Sequence, residues 1–326
     1  MDSNYIQLFE ELLSLAEKYR GATAPNPCVG ALALDPTSGK VLSLQAHQKA
    51  GNPHAEALVI ADLENLQDGL TQAKVLLVSL EPCSHRGRTG PCTQAIIKAH
   101  QEFGAFEKVF FLCRDQNSKV SGLGMQILKQ AGIDVHCVEE ENPELQIVKR
   151  GRALLRPFFH FVKTGKPWVT LKTAINTSGT LIPAQGQKTF TSEASLELSH
   201  RLRKRADAIL TGSGTVLADA PLLTVRLVQD HPDKQRWLVI LDRKKRVSEA
   251  YLQQARGRGF KVLLQDELER SLDFLGAQGC LEVLVEAGPT LTRVFLEKQL
   301  WDEQILIRSQ PTGPDRIEVV LKKSYD

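Results

Sequence analysis

The sequence predicts an α/β protein of two domains, and three observations carry that prediction. Short apolar runs alternate with stretches of helical periodicity, the pattern of a sheet layered by helices. The alternation is interrupted at Glu139-Glu140-Glu141-Asn142-Pro143 and restarts after Gly165-Lys166-Pro167. The length of 326 residues suits two ordinary domains.

Taken in order, Tyr5, Phe9, Leu12, Leu13 and Ala16 form an amphipathic helical stripe. Strands are expected near residues 29–34, 75–79, 109–112 and 135–138. Pro53 precedes a helical run (Ala57, Leu58, Ile60, Ala61, Leu63), and Pro91 precedes another (Ala95, Ile96, Ile97, Ala99). Residues 145–161 read as a connecting helix with an Arg/Lys face followed by aromatic contacts, which puts the domain boundary near 147: residues 1–147, then 148–326. The second half predicts strands near 169–175, 208–211, 237–241, 261–264 and 283–286. One further short strand, at 317–321, fits near the end.

Composition narrows the function classes. A net charge of +3 over this length is no nucleic-acid footprint. No stretch approaches the roughly 20 apolar residues that span a bilayer. The N-terminus lacks the basic and apolar regions of a signal peptide, so a cytoplasmic location is expected. In a reducing compartment Cys28, Cys113, Cys137 and Cys280, which have no metal-type spacing, are expected as free buried thiols.

The chemistry concentrates in His54-Ala55-Glu56, followed by Pro82-Cys83 and Pro91-Cys92. One histidine and two cysteines can hold Zn²⁺ and leave a fourth position to water, whose pKa the metal lowers toward about 7. Residues two apart on a helix point about 200° apart, so His54 and Glu56 do not both suit one ion as ligands. His54, Cys83 and Cys92 are the expected ligands, and Glu56 the expected proton carrier, the division of labour of hydrolytic zinc deaminases. A purely structural zinc site would close with four protein ligands. Helix N-termini at Cys92 and His54 favour the metal-binding thiolate. Arg86, Arg88 and two glycines in the loop between the cysteines could grip an anionic substrate, or serve only as a solvated metal-binding loop.

In the second half, Gly212-Ser213-Gly214-Thr215 and Glu286-Ala287-Gly288-Pro289-Thr290 each follow a strand and precede helical sequence, which suits phosphate groups. Glycine also serves such turns for geometry alone. There is no Gly-x-Gly-x-x-Gly fingerprint, so a Rossmann site is not indicated. The run Arg243-Lys244-Lys245-Arg246 could favour a 2′-phosphate or could be a solvated turn.

Eight residues separate Cys83 from Cys92, where the commoner deaminase pattern has two. This longer loop, with Leu80-Glu81-Pro82 before it and Pro25-Asn26-Pro27-Cys28-Val29-Gly30 upstream, resembles the bifunctional riboflavin-biosynthesis deaminase/reductase family, RibD. The resemblance extends over nearly the whole chain. It continues through Gly122-Leu123-Gly124 and Ala131–Val135, with Ser118 in place of a usual proline. In the second half it runs through Val169–Lys172, Arg203, Asp207–Leu210, Gly214–Asp219, Pro221, Leu223–Arg226 and Glu286–Thr290.

The resemblance implies a cytidine-deaminase-like α/β/α domain followed by a dihydrofolate-reductase-like α/β domain. It implies zinc and NADPH as cofactors and a phosphoribosyl-pyrimidine substrate that is deaminated and then reduced from ribosyl to ribityl. It places Asn26, His47, His85 and Arg88 on the deaminase substrate. Lys172, Thr215, Asp219, Gly288, Pro289 and Thr290 would serve the cofactor; Arg203, Leu223, Arg226 and Glu286 would serve the reductase substrate. A homodimer or homotetramer is implied, with neither nucleic acid nor membrane as partner.

The sequence departs from that family in one region. The usual Ser-Leu-Asp-Gly reads Asn176-Thr177-Ser178-Gly179, and the usual Ser-x-Trp-Ile-Thr reads Gln187-Lys188-Thr189-Phe190-Thr191. Leu196 stands where an arginine is usual, and the C-terminal region is short, with the usual Ala-Pro-Lys-Leu-Leu-Gly barely recognisable at 309–313. A deaminase whose second domain serves only oligomerisation or substrate capture is therefore the alternative to a bifunctional enzyme. A zinc-stabilised binding module and a nucleic-acid base deaminase are further alternatives, the last leaving the second domain unexplained.

Overall fold

The computed structural model describes residues 2–84, 90–117, 121–181, 189–310 and 312–322. The chain divides into two compact units, residues 1–163 and 164–326.

The first unit runs α1 (Ser3–Glu17), β1 (Gly30–Asp35), β2 (Lys40–Ala46), α2 (Ala55–Glu64), α3 (Gly69–Gln72), β3 (Val75–Leu80), α4 (Cys92–Phe103), β4 (Lys108–Cys113), α5 (Leu123–Gln130), β5 (Asp134–Cys137), α6 (Val138–Glu141) and α7 (Gln146–Thr164). Among the described residues it holds a five-stranded sheet of order β2-β1-β3-β4-β5. β1 pairs antiparallel with β2 and β3, while β3, β4 and β5 run parallel. The central β3 is buried at every position, as expected of a strand covered on both faces. Strand β2 is absent from the sequence reading. It lies at the sheet edge, and most of its residues are only half-buried, so its apolar signal is weak.

The boundary falls at the end of α7 and not near 147. Ile147, Val148, Leu154 and Leu155 are buried in the same core as β1, β3 and β4. Gly151 shows how close the contact is: a Cβ there would lie 2.5 Å from Leu112 Cδ2. The connecting helix is thus part of the first unit's core.

The second unit runs β6 (Trp168–Ile175), α8 (Glu193–Arg205), β7 (Ala208–Gly212), α9 (Ser213–Asp219), β8 (Trp237–Leu241), α10 (Glu249–Gly257), β9 (Lys261–Gln265), α11 (Leu268–Ala277), β10 (Glu282–Glu286), α12 (Pro289–Glu297), β11 (Glu303–Arg308) and β12 (Arg316–Leu321). Its described residues form a seven-stranded sheet of order β12-β11-β6-β10-β7-β8-β9. Only the β11–β12 pair is antiparallel. Strand β11 is the second element the sequence reading lacks, because that reading fits only one strand after Trp301-Asp302-Glu303. It pairs with β6 over residues 303–308 and buries Ile305 and Ile307. Since β6, β10 and β7 are adjacent and parallel, their register sets Lys172 of β6 beside Glu286 and Gly212, which end β10 and β7.

All six cysteines are free thiols in this structure; Cys28, Cys113, Cys137 and Cys280 are buried. Burial pushes the Cys137 and Cys280 thiols up, to about 11 and about 12, and raises Cys113 too, so these three are inert as nucleophiles. No helix among the described residues is long and apolar enough to cross a membrane.

A fragment of residues 1–163 is predicted to unfold cooperatively by urea, whereas residues 1–147 will not. The shorter piece lacks Val148, Leu154 and Leu155, each contributing about 1.5–3 kcal/mol of burial, against a domain total of roughly 5–15 kcal/mol.

Candidate active sites

In the first unit, three elements bring the zinc-type residues together. His54 is the N-cap of α2, with extended backbone (φ −70°, ψ 163°), and Glu56 lies in that helix's first turn. Cys83 sits in the loop after β3, and Cys92 is the first residue of α4, whose N-cap is Pro91. The start of α4 grips Cys83: the Cys92 N–H donates to Cys83 Sγ at 3.3 Å, and the Thr93 N–H and Oγ1 both donate to the Cys83 carbonyl at 3.2 Å.

His54 Nδ1 lies 3.6 Å from Cys83 Sγ and 3.4 Å from Cys92 Sγ. A tetrahedral zinc with ordinary Zn–N and Zn–S bonds implies an N···S edge of about 3.6 Å, so this donor set fits the ion. No other described His, Cys, Asp or Glu joins the cluster.

The electrostatics suit metal uptake and proton transfer. The hydrogen bond from the Cys92 thiol, together with His54, pulls the Cys83 thiol down to about 4, and Cys92 is correspondingly pushed up. Glu56, 3 % exposed, is raised to about 7 by burial and then by Cys83, opposed by His54.

Beside the metal ligands lies an ordered polar pair. His47 Nδ1 meets the Pro53 carbonyl at 3.0 Å, and His47 Nε2 meets Asn26 Nδ2 at 3.3 Å. A carbonyl only accepts, so Nδ1 carries the proton and Nε2 accepts from Asn26. Burial lowers the His47 pKa, which keeps that neutral tautomer. The His47 ring meets the His54 ring edge-on at 5.4 Å. His85 and Arg88 lie outside the described residues.

Sequence reasoning left Glu81 without a role, although it belongs to the Cys83 loop. Its buried carboxylate accepts from the Gly122 N–H at 3.0 Å and the Met125 N–H at 3.1 Å, capping α5. Gly124 permits the approach, since a Cβ there would lie 2.2 Å from the Pro82 carbonyl oxygen. A buried acid just before a Pro-Cys pair is the signal that could have revealed it.

In the second unit, the buried Glu286 at the end of β10 is the hub. Arg203 on α8 grips it with two bonds, Nε to Oε1 at 2.5 Å and Nη2 to Oε2 at 3.0 Å, and Lys172 Nζ reaches Oε2 at 3.3 Å. Burial would raise the Glu286 pKa, but Lys172 and then Arg203 outweigh it and bring the carboxyl down to about 2. Arg203 Nη1 also donates to the Thr224 carbonyl at 3.2 Å. All three guanidinium nitrogens of Arg203 thus have partners within the protein. The guanidinium of Arg226 is exposed and donates to Thr224 Oγ1 at 2.7 Å. Lys172, Arg203 and Arg226 against the single carboxylate of Glu286 leave the cluster cationic, as an anionic ligand requires.

The turns after β7 and β10 are joined, the Gly288 N–H donating to Thr215 Oγ1 at 3.0 Å. Pro289 opens α12, and Thr290 follows it. Gly214 faces open space, with nothing within 4 Å of the position of an added Cβ. The open room at Gly214, beside the joined turns, leaves space for a dinucleotide. Leu223 is buried in the core with φ +56°, and Asp219 is exposed at the end of α9; neither belongs to the ion-paired cluster. Of the basic run, Arg243 Nε turns to the Asp266 carbonyl, while Arg246 Nη2 donates to Ser213 Oγ at 3.1 Å. The divergent Asn176–Thr180 segment is a turn in which Asn176 Oδ1 accepts from the Ser178 and Thr180 N–H groups. Gln187 lies outside the described residues.

Fold and site together define a zinc-dependent hydrolytic deaminase joined to a dinucleotide-dependent reductase. Residues 2–108 match the cytidine and deoxycytidylate deaminase zinc-binding region, and residues 167–309 match the RibD C-terminal domain. The riboflavin biosynthesis protein RibD of Aquifex aeolicus is 34% identical over 331 residues, covering 94% of this chain and 86% of its own length. That of Escherichia coli is 33% identical over 328 residues, covering 90% and 84%. Among solved structures, Acinetobacter baumannii RibD superposes with a TM-score of 0.77 at 29% identity, covering 95% of this chain and 88% of that one. A Thermotoga maritima diaminohydroxyphosphoribosylaminopyrimidine deaminase/5-amino-6-(5-phosphoribosylamino)uracil reductase gives 0.77 at 28% identity, covering 96% and 89%. This chain belongs to the RibD family: it is a bifunctional enzyme of riboflavin biosynthesis, hydrolase and oxidoreductase, with zinc and NADPH as cofactors.

The ion-paired cluster yields a pH prediction. Glu286 is about 2 in the folded protein against an ordinary 4.5, so its stabilisation is complete above the ordinary value and is lost as pH falls through the folded one. Urea unfolding of the second unit is expected to stay level down to the ordinary carboxylate range and weaken below it. In Arg203→Met the folded-state carboxyl moves up toward the ordinary value, so the weakening below the ordinary carboxylate range is expected to be smaller than in the wild type.

Proposed function

We propose that His54, Cys83 and Cys92 hold the zinc and that Glu56 moves the protons of deamination. The observation that carries this is the buried Glu56 in the same helical turn as a His/Cys/Cys set of tetrahedral dimensions. Zinc, when bound, makes hydroxide available from water near neutral pH. Glu56 would take one proton from that water and give it to the ring nitrogen of the pyrimidine, then take the second from the hydroxyl now on the ring carbon and give it to the departing amine, so that water and the amidine become a ring carbonyl and ammonia. A carboxyl kept near neutrality by burial suits both halves of that transfer.

Asn26 and His47 orient the pyrimidine beside the metal: the amide that donates to His47 Nε2 leaves its own carbonyl for the substrate. By family position His85 and Arg88 complete that pocket, Arg88 at the phosphate. The substrate is 2,5-diamino-6-(5-phosphoribosylamino)pyrimidin-4-one, and the deaminated product is then reduced.

In the second unit bound NADPH would supply the hydride that converts ribosyl to ribityl. Thr215 and the Gly288–Thr290 turn would hold the cofactor, and Lys172, paired with Glu286, would serve it. Arg226 receives the sugar phosphate, while Arg203 holds Glu286 in place. Asp219 and Leu223 keep the cofactor and substrate roles of their family positions, Leu223 through the shape it gives the 221–226 loop. The intact Lys172–Glu286–Arg203 cluster favours both activities over a deaminase alone, despite Ser178, Thr189 and Leu196. We place the enzyme in the cytoplasm as a homodimer or homotetramer.

Glu56→Gln is the test of the deaminase assignment. Zinc content is expected to stay at one ion per chain while ammonia release falls by at least about 10²-fold. Unchanged ammonia release, or loss of the metal, would remove Glu56 from the role of proton carrier.

A further inference from the structure

His200 lies on α8 one turn before Arg203 and is 4 % exposed. Its Nδ1 faces two backbone N–H groups, that of Arg226 at 2.7 Å and that of Leu227 at 3.4 Å. Backbone N–H groups only donate, so Nδ1 carries a lone pair and the ring proton sits on Nε2. Nε2 stands 3.4 Å from Arg203 Nη1. A guanidinium nitrogen also only donates, so this contact is two donors side by side and not a hydrogen bond. Burial, and then Arg203 and Arg226, push the His200 pKa down to about 4, which agrees with a neutral ring.

The same loop is tied down again by Thr224, whose carbonyl accepts from Arg203 and whose hydroxyl accepts from Arg226. Arg203 spends Nε and Nη2 on Glu286. Arg226 is therefore the arginine of this cluster whose exposed guanidinium is open to a ligand, and His200 holds its backbone. A histidine in a core helix is most often just a satisfied core residue. Here the group it satisfies is the backbone N–H of a ligand-facing arginine, opposite the arginine that grips Glu286.

We infer that His200 is a positioning residue of the reductase site: by accepting from the Arg226 N–H it sets where the Arg226 guanidinium meets the phosphate of the phosphoribosyl substrate. The inference rests on the reductase reading and deepens it. His200 touches neither substrate nor cofactor in this role and acts through Arg226.

The test uses the full-length zinc-loaded protein with His200→Leu, which removes the acceptor, and His200→Asn, whose side-chain oxygen can stand near the Nδ1 position. Ribose 5-phosphate binding is measured by calorimetry, and KM and kcat are measured for the deaminated substrate and for NADPH. His200→Leu is expected to weaken ribose 5-phosphate binding and raise the substrate KM about 10- to 100-fold, the size of a lost charge-assisted contact. The NADPH KM and ammonia release should stay within about twofold, as for sites that do not share partners. His200→Asn should recover most of the loss. Adding His200→Leu to Arg226→Gln should cost little more than Arg226→Gln alone, because the two act on one contact.

Additive losses in that double variant, an equal rise in the NADPH KM, or His200→Asn as poor as His200→Leu would overturn the inference. So would failure of both His200 variants to fold, which would make the residue structural. A wild-type protein that neither binds ribose 5-phosphate nor consumes NADPH overturns the reductase reading and the inference together. Wild-type binding that survives His200→Leu unchanged overturns the inference alone.

Discussion

The convergence of His54, Cys83 and Cys92 on one point constrains the whole first unit, because the three residues come from three different elements. His54 must end one loop as α2 begins, Cys92 must begin α4, and Cys83 must hang from the end of β3 between them. The backbone of α4 fixes Cys83 through bonds to both its sulfur and its carbonyl. Glu81 anchors the same loop from the other side by capping α5. The parallel strands β3 and β4 set the distance over which these supports act. A metal site held this way needs little rearrangement to accept its ion, which is how a scaffold preorganises chemistry.

The second unit meets an analogous constraint with ion pairs. Lys172, Arg203 and Glu286 are all largely buried, so each charge needs its partners. The parallel β6–β10 pairing places Lys172 directly beside Glu286 in register, and α8 lays Arg203 across both oxygens of the carboxylate. Satisfying Glu286 so completely leaves net positive charge beside the joined turns after β7 and β10. That combination suits a cofactor and a substrate that both carry phosphate. The ion pairs of the cluster are intact although Ser178 and Leu196 replace the usual side chains.

Local chemistry was the most legible part of the sequence. The zinc set could be read because a histidine two residues before an acid and two Pro-Cys pairs are short motifs with few other uses. Most strands were legible because their apolar runs are dense. Strand β2 was not, since an edge strand buries few of its residues, and β11 was hidden by a polar start at Glu303-Gln304. The reach of α7 into the first core was also hidden, because periodicity shows that a helix is amphipathic and not which core it joins. Glu81 and His200 escaped for one reason: the backbone N–H groups their side chains accept from lie 41 and 26 residues away in sequence at the nearest. Family resemblance supplied the position of Arg203, but only the geometry shows that its guanidinium is spent on Glu286.

One chain carries both chemistries on one substrate, hydrolytic deamination first and sugar reduction second. The most direct measurement is product identification by mass after incubating the zinc-loaded protein with 2,5-diamino-6-(5-phosphoribosylamino)pyrimidin-4-one and NADPH. A product both deaminated and reduced to the ribityl form, with the deaminated ribosyl compound alone when NADPH is omitted, is the predicted result. A deaminated product that stays unreduced in the presence of NADPH would contradict it and leave this chain a deaminase with a second domain of another use.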